Sequence, residues 1–272
     1  MATTSEGFYD LTVQNDSLTL TPGLLAASPY GLRALDGNDI MIGSLDAEII
    51  NGNQGDDTIQ GGGGNDTLRG GKDRDYLDGQ EGDDVIYGEL SEDSLVGGVG
   101  NDLIRGGKDA DILDGQGGND TLIGDYGADM LTGGGGSDLF VLRTDTVIDD
   151  PNNADFILDF NSSEGDRIGL TGGLTEASLF LRPESISLTE VLNRVPGAVS
   201  ESDLSLLSEV LGLLSPEFIT EQISQMLGVN IDPDGDGNIT GTSIDINGTT
   251  GLGFVINATP ADLVGRFVSV EF

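Results

Sequence analysis

Stepping nine residues at a time from Asp39, the chain places an acidic residue at each of twelve steps: Asp39, Glu48, Asp57, Asp66, Asp75, Asp84, Asp93, Asp102, Asp111, Asp120, Asp129 and Asp138. Two residues after each stands a large apolar side chain: Met41, Ile50, Ile59, Leu68, Leu77, Ile86, Leu95, Ile104, Leu113, Leu122, Leu131 and Phe140. Five residues before each stands glycine, except at the first step, where Ala34 takes its place. Chance does not hold three registers over such a run, and a period of nine belongs neither to a helix nor to a simple alternating strand. The phrase "GGGGNDTLRGG" at 61–71 returns as "DGQGGNDTLIG" at 114–124, always with one aliphatic residue between glycine-rich turns.

Composition narrows the chemistry. The 272 residues carry a formal net charge of -37, which opposes compaction unless cations bind or screen it. Such a surface disfavours nucleic acid, anionic membrane and acidic substrates as partners. The absence of His and Cys excludes thiol nucleophiles, Ser-His triads, His/Cys zinc sites, the H-E-x-x-H metalloprotease motif and disulfides. No apolar run approaches the roughly 20 residues of a membrane helix, and "MATTSEGFYD" lacks the features of a secretory signal. Four other readings of the repeat fit it poorly. A disordered linker keeps no apolar ladder; "GGKDRD" lacks the Ser/Thr of a phosphate-binding P-loop; glycosidase carboxylates come as one pair in a pocket; and Thr58, Thr67 and Thr121 make no continuous ice-binding row.

The nonad G-G-x-G-x-D-x-U-x, with U apolar, resembles the RTX (repeats-in-toxin) calcium-binding repeat over residues 34–142, about two-fifths of the chain. The resemblance implies a mainly β fold, a parallel β-roll with a small α+β C-terminal region, and calcium as its cofactor. Physical chemistry agrees. Glycine supplies positive φ in a six-residue turn, and three strand residues then aim one side chain inward. Two nonads close a coil of eighteen, so the array makes about six coils, about 29 Å long at ~4.8 Å between strands. Two ladders of single aliphatics make a thin core that does not by itself offset the ordering entropy of so many glycines. Acidic residues eighteen apart stack on one edge, where each like-charged pair at ~5 Å costs about 3 kcal/mol at an effective dielectric of ~20. Calcium reverses that sign, because it takes six to eight carboxylate and carbonyl oxygens.

In the family each ion lies between neighbouring turns of one edge. One turn offers the carbonyls of nonad positions 2 and 4 with its Asp; the next offers those of positions 1 and 3 with its own. Carried over, the resemblance implies Asn53, Gly55 and Asp57 with Gly70, Lys72 and Asp75; and Gly62, Gly64 and Asp66 with Gly79, Glu81 and Asp84. It further implies Gln80, Gly82 and Asp84 with Gly97, Val99 and Asp102; and Gly98, Gly100 and Asp102 with Gly115, Gly117 and Asp120. A fifth set is Gln116, Gly118 and Asp120 with Gly133, Gly135 and Asp138. Asp39, Asp93, Asp111 and Asp129 complete the opposite edge. The two edges differ at position 4: from Gly64 onward one always has glycine, Gly64, Gly82, Gly100, Gly118 and Gly136; the other runs Gly37, Gly55, Asp73, Ser91, Asp109 and Gly127. If position 4 needs positive φ, the second edge is the weaker, with the 93/111 site beside Ser91 the weakest.

Five segments are expected: a β cap over 1–33, the roll over 34–142, an RTX-flanking β segment over 143–186, a helical insertion over 187–228, and 229–272. The insertion is read from the capping box Ser187…Glu190, from Leu204, Leu207, Val210, Leu211 and Leu214, and from Ser215 and Pro216 opening a helix that Gly228 stops. Its expected role is either to cap the roll or to self-associate. In "DPDGDGNITGTSID", Asp232, Asp234, Asp236, Asn238 and Thr240 match liganding positions of an EF-hand loop, but Ser243 replaces the final Glu and "TSIDI" reads as strand. Calcium binding and a plain turn both fit. The tail "LGFVIN…FVSVEF" reads as two strands, and family resemblance implies a C-terminal signal for type I secretion.

Function is therefore expected to be non-enzymatic. The chain reads as a secreted calcium-binding protein, extracellular or on the cell surface, that folds on calcium and serves as a matrix or filament component. A homo-oligomer or end-to-end filament is its expected assembly. A calcium-dependent adhesion or glycan-binding module and a carboxylate-based hydrolase are the alternatives.

Overall fold

The computed structural model describes residues 3–5, 7–28, 30–143, 154–187, 238–246 and 250–270. Each nonad contributes one strand, and successive strands alternate between two sheets. Residue i therefore lies beside residue i+18. Val85, Ile86 and Tyr87 pair in parallel with Leu103, Ile104 and Arg105, and Ser94, Leu95 and Val96 with Ile112, Leu113 and Asp114. One sheet takes the repeat strands Leu32–Asp36, Ile49–Gln54, Thr67–Lys72, Val85–Leu90, Leu103–Lys108 and Thr121–Tyr126. The other takes Ile40–Ile42, Thr58–Gly63, Tyr76–Glu81, Ser94–Val99, Ile112–Gly117 and Met130–Thr132. The result is a parallel β-roll of about six coils, as the repeat predicts.

Full-length strands run six residues rather than the expected three, because the glycine positions that open each turn stay in the hydrogen-bonded ladder. Coils with the same backbone conformation stack in register even where the chain bends. Between the sheets lies the core. All twelve predicted apolar positions, Met41 through Phe140, are 0% exposed, and Leu32, Ile157 and Ile168 extend both rows beyond the repeats. At ~1.5–3 kcal/mol for each fully buried aliphatic side chain, this ladder supplies most of the apolar stabilisation available to the array.

Non-repeat segments prolong the same two sheets, giving eleven strands in each among the described residues. Before the array, Phe8–Asp10 pairs in parallel with Leu32–Asp36, and Ser17–Thr19 with Ile40–Ile42. After it, Arg167–Leu170 follows Leu139–Leu142, and Asp155–Ile157 follows Met130–Thr132. Both tail segments expected as strands are strands: Thr250–Ile256 docks on Asp155–Ile157 and Phe267–Ser269 on Arg167–Leu170. Asn238–Ile246 pairs antiparallel with Thr250–Ile256 on one side and Leu179–Ser187 on the other. The expected helices lie outside the described residues, apart from Ser187, which ends a strand. No helix among the described residues is long and apolar enough to cross a membrane.

Backbone signs decide the glycine pattern. Outside the Glu48 nonad, whose Ser44 and Asp46 are not at positive φ, position 4 has positive φ as anticipated, and the non-glycine residues there adopt it: Asp73 at 70°, Ser91 at 82° and Asp109 at 72°. Position 2 shares the requirement, which the sequence pattern did not reveal. Gly62, Gly71, Gly98, Gly107 and Gly134 alternate there with Leu35, Asn53, Gln80, Glu89, Gln116 and Asp125, all at positive φ. Strained positions therefore fall on both edges. Where glycine stands at position 4 it is also sterically required, since a Cβ on Gly118 would run into the Gly100 carbonyl of the coil before. Ser91→Gly should raise stability by about 0.5–1 kcal/mol. That is the roughly 1–2 kcal/mol left-handed cost less about 0.5–1 kcal/mol of glycine entropy. Urea unfolding at saturating calcium measures it.

Candidate metal centres along the roll

Each aspartate of the repeat ladder divides its carboxylate between two tasks. Its Oδ1 accepts the backbone N–H of the ladder residue one coil earlier: Asp57 N–H donates to Asp75 at 2.8 Å, Asp84 to Asp102 at 2.7 Å and Asp111 to Asp129 at 2.8 Å. Its Oδ2 is buried without a hydrogen-bond partner at Asp39, Asp57, Asp66, Asp75, Asp84, Asp93, Asp102, Asp111, Asp120, Asp129 and Asp138. Buried polar atoms are normally paired, so two rows of orphaned oxygens call for a cation.

Position 1 shows what faces them. A Cβ on Gly97 would meet the Asp102 Oδ2 at 2.5 Å and the Gly115 carbonyl oxygen of the next coil at 2.9 Å. The same meeting of Asp Oδ2 with a next-coil glycine carbonyl recurs at Gly52, Gly61, Gly79, Gly88, Gly106 and Gly115, where the carbonyl would lie 2.6–2.8 Å from such a Cβ. Glycine stands there because carboxylate and carbonyl converge on the space that a side chain would fill. Gly88, which precedes Asp93, shows the same convergence, so the Ser91 turn keeps the local arrangement despite its strained φ. Among the described residues no three His, Cys, Asp or Glu side chains cluster. A cation here must draw on backbone carbonyls, the donor set that a hard ion such as calcium accepts.

Burial raises these acids. Desolvation pushes Asp57, Asp66, Asp93 and Asp120 to about 7, Asp75 to about 8 and Asp111 to about 9. Asp102 and Asp138 rise less, to about 6. Backbone hydrogen bonds oppose the shift and neighbouring ladder charges add to it. A bound dication inverts the balance by favouring the charged form.

The ladder is longer than the repeat. Asp16 N–H donates to Asp39 at 2.5 Å, Asp129 N–H to Asp155 at 3.2 Å, and Asp138 N–H to Asp166 at 2.9 Å. A nine-step scan misses Asp16, Asp155 and Asp166 because longer loops separate them from the array. Each nevertheless keeps the D-x-U signature, with Leu18, Ile157 and Ile168 two residues on. Glu48 departs from the pattern: its longer side chain folds back on the Ser44 hydroxyl and backbone N–H. A further ladder runs outside the first at position 5. Asn65, Asp83, Asn101 and Asn119 each accept the backbone N–H of the next member, ending at Ser137. Its counterpart on the other edge, Asn38–Asp56–Arg74, stops where the sequence gives Glu92, Ala110 and Ala128. Asp232, Asp234 and Asp236 lie outside the described residues, while Asn238 and Thr240 begin a strand.

Five overlapping stretches, 32–59, 42–77, 60–95, 87–122 and 105–140, match the family model described as RTX calcium-binding nonapeptide repeat (4 copies). The roll is built of RTX repeats. These repeats bind calcium, and the buried Asp ladder is the carboxylate set that fits it. No curated protein matches the chain.

Protonation and calcium compete for the RTX ladder. Carboxyls raised in the fold keep their protons there more readily than in the unfolded chain. The calcium-free roll is therefore most stable below about pH 4 and loses that stability as pH rises through about 6–9. Circular dichroism of calcium-stripped protein should show β structure declining from pH 5 to pH 8. The rise in Tm on adding calcium should be larger at pH 8 than at pH 5.5.

Proposed function

We propose that this protein is a secreted, non-enzymatic β-roll that calcium closes outside the cell, where it acts as a structural component of a surface, matrix or filament. The observation carrying the reading is the double row of orphaned, buried Oδ2 atoms. A chain that bears a charge of -37 and stacks its acids in contact is disfavoured as a roll where calcium is scarce and favoured where it is abundant. RTX repeats are typical of extracellular bacterial proteins, which supports export, with type I secretion as the family's route.

Each ion is assigned between two turns of one edge. On the Asp66 edge, Gly98, Gly100 and Asp102 face Gly115, Gly117 and Asp120, with the other sets following the same rule. Every interior Asp then serves two ions. Asp102→Asn should therefore weaken two neighbouring sites, 84/102 and 102/120. With a dissociation constant of ~0.1 mM and millimolar calcium, each site contributes about 1.4 kcal/mol, so the variant should lose about 3 kcal/mol and need more calcium to fold. A calcium titration followed by circular dichroism measures this. Native-like β signal in excess chelator at pH 8 would sink the reading.

A further inference from the structure

The roll has two outer faces of opposite character. The sheet containing Leu32–Asp36 through Arg167–Leu170 carries Arg33, Arg69, Lys72, Arg105, Lys108 and Arg167 in its strands, six of the chain's eleven basic residues. Four of the arginines on this side are engaged within the roll or stacked on its rings. Arg33 pairs with Asp10, Arg69 with Glu89, and Arg105 and Arg143 share Asp125. Lys72, whose Nζ donates to the Gln54 Oε1 at 3.3 Å, and Lys108 are exposed beside Leu90 and Tyr126, which are 36% and 52% exposed. The opposite sheet has no basic residue in its strands from Ile40–Ile42 through Met130–Thr132. Its outer side bears Asp78, Glu81 and Asp114 around a shallow groove lined by Ile42, Leu45, Tyr76, Val96 and Val99. Leu45 and Val99 are 77% and 67% exposed.

Sequence period ties the two faces together. "RGGKDRDYLDGQEGDD" at 69–84 repeats as "RGGKDADILDGQGGND" at 105–120, twice the eighteen-residue coil. Lys72 and Lys108 therefore sit two strands apart on one face, and Asp78 and Asp114 two strands apart on the other, both about 9.6 Å. Because both faces belong to the same roll, their charge spacings match by construction. Were one face set on the other, lysines of one copy would fall opposite aspartates of the next, with Leu90 and Tyr126 facing the Leu45–Val99 groove. Pairing like faces would set like charges against each other.

We infer that calcium-loaded rolls stack laterally, the lysine-bearing face of one copy on the acidic, apolar face of the next. This deepens the structural reading above and rests on it. The contact is heterologous, so each added copy presents a fresh face and the stack grows. Six coils of six-residue strands offer about 600 Å² per partner, the size of a weak, reversible interface. Calcium on the ladders removes part of the net negative charge that would otherwise hold two copies apart.

Sedimentation velocity in millimolar calcium tests it, with circular dichroism confirming that each variant forms the roll. Wild type should pass beyond a dimer as concentration rises and return towards monomer in high salt. Leu90→Asn/Lys108→Asn spoils one face and Ile42→Lys/Leu45→Lys the other. Each variant should be monomeric alone, and their mixture should stop at a one-to-one dimer. A folded wild type that stays monomeric at every concentration overturns the inference, as does assembly unaffected by both variants. Retention of a monomeric roll on a polyuronate matrix reassigns the lysine face to a polysaccharide and overturns it too. A chain that remains coil in calcium removes the underlying calcium reading, and the stack with it.

Discussion

Stacked carboxylates are the constraint on which the rest depends. The coil repeat places an acid above an acid along each edge, buried and one strand spacing apart, with one oxygen of each committed to a backbone N–H and the other left over. A core two side chains thick does not offset such repulsion. A divalent cation held by the left-over oxygens would, because it neutralises the acids where they stack. Calcium, the ion these repeats bind, is then as much a structural element of the roll as the hydrophobic layer between its sheets.

Backbone conformation follows from that requirement. Carbonyls at the turns must point at the edge where the carboxylates gather, and positive φ at positions 2 and 4 turns the chain to achieve it. Glycine is the usual answer, but not everywhere. Glu89 and Asp125 accept φ of 86° and 74° at position 2 while bridging Arg69 and Arg105 of the coil before. Residues that look like lapses in the consensus thus bind adjacent coils across the outer face, without metal. Arg69 also stacks over Tyr87, 4.4 Å from its centroid. One sheet is therefore held by ion pairs and rings outside, while both gather unpartnered carboxylate oxygens at the edges.

The ends obey the same economy. Segments with no nonad spacing still supply strands to both sheets, and Asp16, Asp155 and Asp166 carry the carboxylate ladder past the repeats. Asp155, buried beside Asp129, is pushed well above the usual carboxylate range by desolvation and by that neighbour's charge. The C-terminal strands then join the sheets at Asp155–Ile157 and Arg167–Leu170, so the tail lies against the roll.

By itself the sequence determined what depends on local, strictly repeated chemistry. A strict period fixes the parallel register, the inward aliphatics from Met41 to Phe140, the ladder from Asp39 to Asp138 and the calcium chemistry, because one residue type recurs where one environment recurs. Tertiary structure decided what depends on contacts without a fixed spacing. The continuation of the ladder through Asp155 and Asp166 was hidden because loops of unequal length interrupt the count. Positive φ at position 2 was hidden because glycine and side-chain-bearing residues alternate there. The pairing of Arg105 with Asp125, twenty residues later, and the opposite character of the two faces emerge only when coils are stacked. Stacking turns distance along the chain into adjacency in space, and nothing in a single nonad specifies which neighbour it will meet.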